Sequence, residues 1–434
     1  MVDRFIDVLK KKGVNQYELY YSESYIEPVK FDQNVLQSLE VKSEKGLGIR
    51  VIQDGKVGFT ATNDFDNPEP AVERALAVSK FGKPVGFEFP SKSVYPEVNV
   101  YEPTGWPTES RIELGQELID TLVTLCKELR LNVELNYEES TVRVVNSSGL
   151  DYSYQKTGYT LGVEGLAILE TGITWIFDWL ASANPIDDPR AVIPRLRRQL
   201  EHANKLAHFK SGKLVVIFAP LAFFMTFVRT LSAGLSGKSL VRKITPLLGK
   251  EGEKVLGESF TLWDDGTTDW MYGSRPFDDE GIPTTKRKLI DHGVLQGFVF
   301  DLDTAAKAGK PPTGNAVRDY TSTPTPGFNN MVIEAGNTSI DDMIKDTKRG
   351  ILIYGVIGGG QSNVLAGDFS VNVGLGFLID NGEIVGRVKD TMVAGNFYEL
   401  FRDGRFMLSK EQQVIANYKL PYAYVEDVTV ATKS

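Results

Sequence analysis

The chain is poor in the residues on which metal and thiol chemistry depend: it has three histidines and one cysteine among 434 residues. The single cysteine, Cys126, excludes an internal disulfide and fits a reducing compartment. Neither His-Glu-x-x-His nor His-Glu-x-x-x-His occurs, so the usual helix-borne zinc motifs are missing. His202 and His208 fall six apart on a predicted helix, about 600° of rotation, and point to different sides. His292 sits in a predicted turn. Gly-x-Ser-x-Gly is also missing, which removes the strand-to-helix nucleophile elbow.

Long hydrophobic runs are missing too. The most apolar stretch, residues 214–228, is 15 long and interrupted by Pro220, whereas a bilayer-spanning helix needs about 20. It reads as a buried strand, a turn and a buried helix. Residues 1–13 alternate apolar and charged side chains at helical spacing, without the apolar core or small-residue cleavage site of a signal peptide. Positive charge is in deficit: 48 Lys and Arg against 57 Asp and Glu give −9, which argues against a broad phosphate-binding surface. The expectation is a soluble cytoplasmic protein with no membrane association and no direct nucleic-acid partner.

The residues that are present are those of an ordinary globular protein, 42% hydrophobic and 24% charged. Its length suggests two or three domains of about 150 residues. Residues 1–105 read as an α+β segment. It has a helix over 2–12, strands at 17–21 and 35–39, an Asp54-Gly55 hairpin and a helix over 70–81, and it closes in a Pro/Ser/Gly-rich linker over 84–107. Residues 106–212 form a central α+β segment packing with the first. Ser110 and Glu113 have capping-box spacing ahead of the stripe Leu118, Ile119, Leu122, Leu125, Cys126 and Leu129, which makes Cys126 a core thiol. Strands over 133–137 and 141–145 follow, and a helix over 188–208 ends the segment. Residues 213–434 are strand-rich and Gly-dense, with hairpin turns at Asp291-His292-Gly293 and Asp380-Asn381-Gly382. Strands and helices do not alternate, so the class is α+β: helices on an antiparallel sheet in the N-terminal part and a β-rich C-terminal domain.

Short motifs mostly dissolve on inspection. Residues 232–239 read as a P-loop without its first glycine, but a predicted helix rather than a strand precedes them, so a helix C-cap is the better reading. Tyr152 and Lys156 have Tyr-x-x-x-Lys spacing and Ser153 to Lys156 fits Ser-x-x-Lys, yet no dinucleotide turn or acylase partner motif accompanies them. The acidic groups Asp264/Asp265, Asp278/Asp279/Glu280 and Asp301/Asp303 are expected to be charged turn faces in water. No catalytic set emerges. Strand edges and dense glycines suit an extended peptide bound by strand addition.

An ordered series of motifs resembles the TldD/PmbA family. It runs through Gly46-Leu47-Gly48-Ile49-Arg50-Val51, Asp278-Asp279-Glu280-Gly281-Ile282-Pro283-Thr284, Thr313-Gly314-Asn315-Ala316-Val317-Arg318, Gly358-Gly359-Gly360-Gln361-Ser362-Asn363, Gly367-Asp368-Phe369-Ser370 and Ala394-Gly395-Asn396-Phe397. Within that family, one kind of subunit (TldD) carries His-Glu-x-x-x-His and a cysteine near the C-terminus. The other kind (TldE, or PmbA) lacks them and pairs with the first in a peptidase acting on unfolded or modified peptides. The resemblance places the zinc helix at 221–231, with Met225, Thr226 and Thr230 where the first histidine, the glutamate and the second histidine would stand, and no cysteine follows Asn396. It therefore implies a TldE-like subunit, a component of a metallopeptidase complex with no zinc of its own, a zinc-bearing TldD-like partner and a peptide substrate. A homodimer is expected when that partner is absent. Gly358, Gly359, Gly360, Gly367 and Asp368 are candidates to line the peptide chamber, where close backbone approach favours glycine. The rival readings are a modulator of DNA gyrase acting through protein contact and a self-sufficient hydrolase with an unconventional metal site.

Overall fold

A computed structural model of the chain describes residues 1–358, 363–402 and 404–433. Its mixed helix-and-antiparallel-sheet architecture is the α+β class expected from the sequence. Helix α1 (Val2–Lys11) buries Val2, Phe5, Val8 and Leu9, the apolar stripe of its first three turns. Strands β1 (Gln16–Asp32), β2 (Lys42–Gln53) and β3 (Lys56–Thr62) follow, then helix α2 (Pro68–Ser79) with proline in its first turn. Asp54 and Gly55 both take positive φ, 49° and 71°, which is what a two-residue hairpin turn requires. Helix α3 (Thr108–Leu125) leads to β4 (Arg130–Asn146), β5 (Asp151–Leu169) and β6 (Gly172–Ser182).

These strands make one antiparallel sheet in the order β3-β2-β1-β4-β5-β6, with the short Val35–Leu36 strand paired to β1. It runs without a break from the first sequence segment into the second. The period-2 alternation of β1 sends Tyr17, Leu19 and Tyr21 to the face covered by α1 and α2, while Glu18 and Tyr20 look the other way. Further along the same sheet α3 packs Leu114, Leu118, Ile119 and Leu122 against Val29, Phe31, Leu131 and Leu135.

Helix α4 (Val192–Leu200) joins this sheet to a second one. Strands β7 (Gly212–Phe218), β8 (Arg349–Ile357), β9 (Asp368–Asp380), β10 (Thr391–Asn396) and β11 (Tyr418–Thr432) pair around a closed ring, because β7 bonds both β8 and β11. Closure removes the open edges that an isolated sheet would expose. Among the described residues no helix is long and apolar enough to cross a membrane, which says nothing of strands.

Several local expectations need correction. Helix α3 begins at Thr108 after Pro107, so Ser110 lies inside it and caps nothing. Its last residue is Leu125; Cys126 is extended and half-buried at the rim of the core formed by α3 and the first sheet, its thiol 3.6 Å from Glu128. The helix expected over 188–208 stops at Leu200, and His202 and His208 lie beyond it. Residues 84–107 have little regular structure but are no free linker: Phe89 and Val100 are buried, and Arg50 lies over the rings of Phe87 and Phe89. The largest correction concerns the acidic groups. Asp264, Asp265, Asp278, Asp279, Glu280 and Asp301 are all buried: Asp264 and Glu280 meet Asn315, Asn329 and Arg50 from distant parts of the chain, while Asp265 and Asp301 are held by Thr267, Thr268 and Thr304 close by.

Candidate functional site

The helix after β7 starts at Pro220, whose fixed φ suits the first helical position. It runs as α-helix over Pro220–Phe223, as π-helix over Phe224–Val228 and as α-helix over Arg229–Gly234. A π turn closes i to i+5, which is the separation of Met225 and Thr230; an α-helix would set them about 140° apart. The backbone thus keeps the spacing that a His-Glu-x-x-x-His pair of ligands would use, while the side chains do not supply ligands. Met225 is 38% exposed, Thr230 is buried, and the buried Thr226 hydroxyl has no hydrogen-bond partner.

A thioether and two hydroxyls are not a donor set for a divalent transition metal. Behind them lies hydrocarbon: Phe227 packs at ring-centroid distances of 4.9 Å from Phe218, 5.1 Å from Phe223, 5.2 Å from Phe369, 5.4 Å from Phe397 and 5.3 Å from Phe401. No group of three His, Cys, Asp or Glu able to hold a metal ion occurs among the described residues. The helix does not fit a metal.

Of the glycine candidates, Gly359 and Gly360 lie outside the described residues. Gly358, with φ of 93°, sits exposed at the end of β8. Gly367 has φ of 90°, and a Cβ there would stand 2.6 Å from the Tyr398 ring, so both conformation and space call for glycine. Asp368 accepts from Asn396 Nδ2 at 2.8 Å, Asn396 also donates to Ala366 O at 2.9 Å, and Phe397 N donates to Gly367 O at 2.8 Å. Two sequence motifs about thirty residues apart therefore form one corner. Tyr398 ties it to the helix end by lying against Gly234, and its own hydroxyl is buried without a partner.

The remaining motifs form a buried charge network that joins the two sheets. Arg50 on β2 pairs with Glu18 on β1 and with Glu280 at 2.7 Å; Arg318 pairs with Glu18 and lies 4.3 Å over the Tyr20 ring. Arg275 binds Asp279 at 2.8 Å, Asn329 Oδ1 at 2.9 Å and Ala316 O at 2.9 Å. Ala316 N donates to Asp278 at 2.9 Å and Arg318 N to Asp279 at 2.8 Å, so the Thr313–Arg318 stretch is fastened onto the Asp-Asp-Glu-Gly turn. Burial alone would raise the Glu18 carboxyl; Arg318 and Arg50 outweigh it and hold Glu18 below its ordinary value. For Glu280 burial wins over Arg50, helped by Asp278, Glu18 and Asp301, and the carboxyl is pushed up to about 8. These residues were not singled out as a unit, because acidic clusters in sequence carry no mark of burial.

The second half of the chain, residues 211–432, matches the family model described as the PmbA/TldA metallopeptidase C-terminal domain, and residues 17–79 match domain 1 of the same metallopeptidases. The uncharacterized protein MJ0231 of Methanocaldococcus jannaschii is 30% identical, covering 95% of this chain and 96% of that protein. A protein named metalloprotease TldD homolog from Haemophilus influenzae is 24% identical over 94% of this chain and 88% of its own length. The crystal structure of TldE from Thermococcus kodakarensis superposes with a TM-score of 0.87 at 29% identity, covering 99% of both chains. A Thermotoga maritima structure described as a candidate modulator of a DNA gyrase gives a TM-score of 0.88 at 25% identity, again over 99% of both.

Proposed function

We propose, from the premise that this chain belongs to the PmbA/TldD metallopeptidase family, that it is the subunit without zinc in a two-component cytoplasmic peptidase. In this reading it pairs with a TldD-like subunit that carries the metal, and it supplies wall and binding surface for unfolded or modified peptides. The observation that carries the reading is the helix over residues 220–234. Its π turn has the pitch of a His-Glu-x-x-x-His site, while Met225, Thr226 and Thr230 offer neither a metal ligand nor a general base.

A peptide would meet an aromatic strip on the last strand of the first sheet. β6 ends the first sheet, and the half-exposed Trp175, Phe177 and Trp179 stack along one face of it at 5.7 and 6.4 Å. The Phe177 N–H and C=O on the outer side of this strand are already bonded to the Gln199 side chain at 3.0 and 2.9 Å, so a peptide would rest on these rings rather than pair along the whole edge.

The test uses three samples: this chain, the His-Glu-x-x-x-His paralogue from the same genome, and their mixture, each assayed for bound zinc and for cleavage of unfolded peptides. Zinc in the paralogue and cleavage only in the mixture is the expected pattern. Stoichiometric zinc together with peptidase activity in this chain alone overturns the proposal in favour of a self-sufficient hydrolase. Affinity purification that returns gyrase subunits and no paralogue overturns it in favour of a gyrase modulator.

A further inference from the structure

A cavity of about 300 Å³ lies between the first sheet and the loops of the second half, with Glu138, Lys156, Tyr272, Arg275, Asn329 and Asn417 among its walls. Its volume is at the lower bound of small-molecule sites. Alternation along β5 puts Tyr152, Tyr154 and Lys156 on one face. The first two are spent on packing, with rings 5.5 and 5.0 Å from Phe277, so Tyr152 and Lys156 form no reactive pair.

Lys156 and Glu138 differ from the other charges in this part of the molecule. Lys156 Nζ donates to the Tyr272 carbonyl and stands 5.4 Å from the centre of its ring. Among the described residues, Glu138 accepts only the Tyr272 hydroxyl, at 3.4 Å. Neither has an ion pair within 4.0 Å among the described residues, whereas neighbouring Arg275 is held by Asp279 at 2.8 Å. Burial, with Arg275 close by, brings the Lys156 ammonium down to about 8, and burial raises Glu138. Two opposite charges left half-compensated in a cavity weaken a fold, and a ligand of complementary charge would offset that cost.

We propose that this cavity binds a small molecule or peptide end carrying a carboxylate next to an N–H donor. The carboxylate accepts from Lys156, and the adjacent nitrogen donates to Glu138. A free α-amino acid and the last residue of a peptide share this chemistry. The site is separate from the helix over 220–234, and it stands whether or not the chain pairs with a zinc-bearing subunit.

Calorimetric titration of the full chain with alanine, tri-alanine and tri-alanine amide tests it, alongside mass-spectrometric footprinting of Lys156 by trace acetic anhydride near pH 8. Binding of alanine as well as tri-alanine identifies a free amino acid; binding of tri-alanine alone identifies a peptide terminus. In either case the amide binds roughly tenfold to a hundredfold more weakly, as the loss of a charge-assisted contact requires, Lys156 is protected from acetylation, and Lys156→Gln reduces affinity to the same extent. Glu138→Gln, which keeps the shape of the site, weakens binding without abolishing it. If the three ligands bind equally, if none binds at millimolar concentration, or if Lys156 stays equally reactive in their presence, the cavity is merely hydrated and the proposal fails.

Discussion

Replacing Arg50 by methionine is expected to lower the unfolding free energy by about 3–5 kcal/mol, read as a lower denaturant midpoint with an unchanged slope. The guanidinium sits between Glu18 and Glu280, which are 0% and 1% exposed. Methionine fills much of the same volume, so little of the loss comes from packing; the loss comes from the buried Glu18 carboxylate, which gives up one of its two cations, and from the hydrogen bond that Arg50 donates to Glu280. Arg318 still faces Glu18, so that carboxylate keeps one of its two cations, while Glu280 loses the one ion pair it makes among the described residues.

The same node sets a pH dependence whose sign can be worked out. Glu280 has a folded pKa raised from 4.5 to about 8, so the fold binds its proton more tightly than the unfolded chain does. Its contribution to stability is complete below about 4.5 and is lost as pH rises toward 8. Asp278 and Asp264, each raised from 3.8 to about 6, act in the same sense over a lower range. Glu18, held below its ordinary value, acts in the opposite sense and loses its contribution only in acid. Stability is therefore expected to fall between pH 6 and 8 by about 1–3 kcal/mol. Glu280→Gln, which mimics the protonated carboxyl and keeps the acceptor for Leu302 N, should flatten that part of the curve. A flat wild-type profile over this range would reject the assignment.

The node also marks where sequence reading stopped. Hairpins were legible because their signal is local: His292-Gly293 and Asn381-Gly382 place positive φ at two adjacent residues that tolerate it, at 47° and 79° and at 50° and 82°. The stripe of α3 was legible because helix period and burial coincide at Leu118, Ile119 and Leu122. Asp278 and Glu280 were misplaced on the surface because their partners are remote in sequence, 38 residues away at Ala316 and 230 at Arg50, and Asp279 because its near partner Arg275 looks equally exposed in sequence. Nothing in Phe224-Met225-Thr226-Phe227-Val228 announces a π turn either. The resemblance located the segment, but the side-chain pattern alone says only that the helix is apolar. Gly367 and Asp368 lay far from Asn396 until the fold joined them, and the nearness of Lys156 to Glu138 follows from carrying the register of β4 against β5 outward from the 146–150 turn.

Truncation of Phe227 to alanine carries the other large expected effect, a loss of about 3–5 kcal/mol. The ring is fully buried and shares a cluster with five other phenylalanines, so its removal leaves a cavity that rigid neighbours from β7, β9 and the segment after β10 cannot collapse to fill. The consequence should be local as well as global. Phe227 lies inside the π turn and, with Val228 and Phe224, anchors it to the second sheet, so its loss is expected to let the segment relax toward α-helical pitch and rotate Thr230 away from Met225. Hydrogen exchange should then rise most for the amides of residues 224–230, while the first sheet, whose core Phe227 does not touch, keeps its protection. Uniform acceleration across both sheets would show instead that the π turn has no stability of its own to lose. On the two-subunit reading proposed above, this variant should depress cleavage by the mixed subunits and leave their zinc content unchanged, because Met225, Thr226 and Thr230 offer no ligand for it to lose.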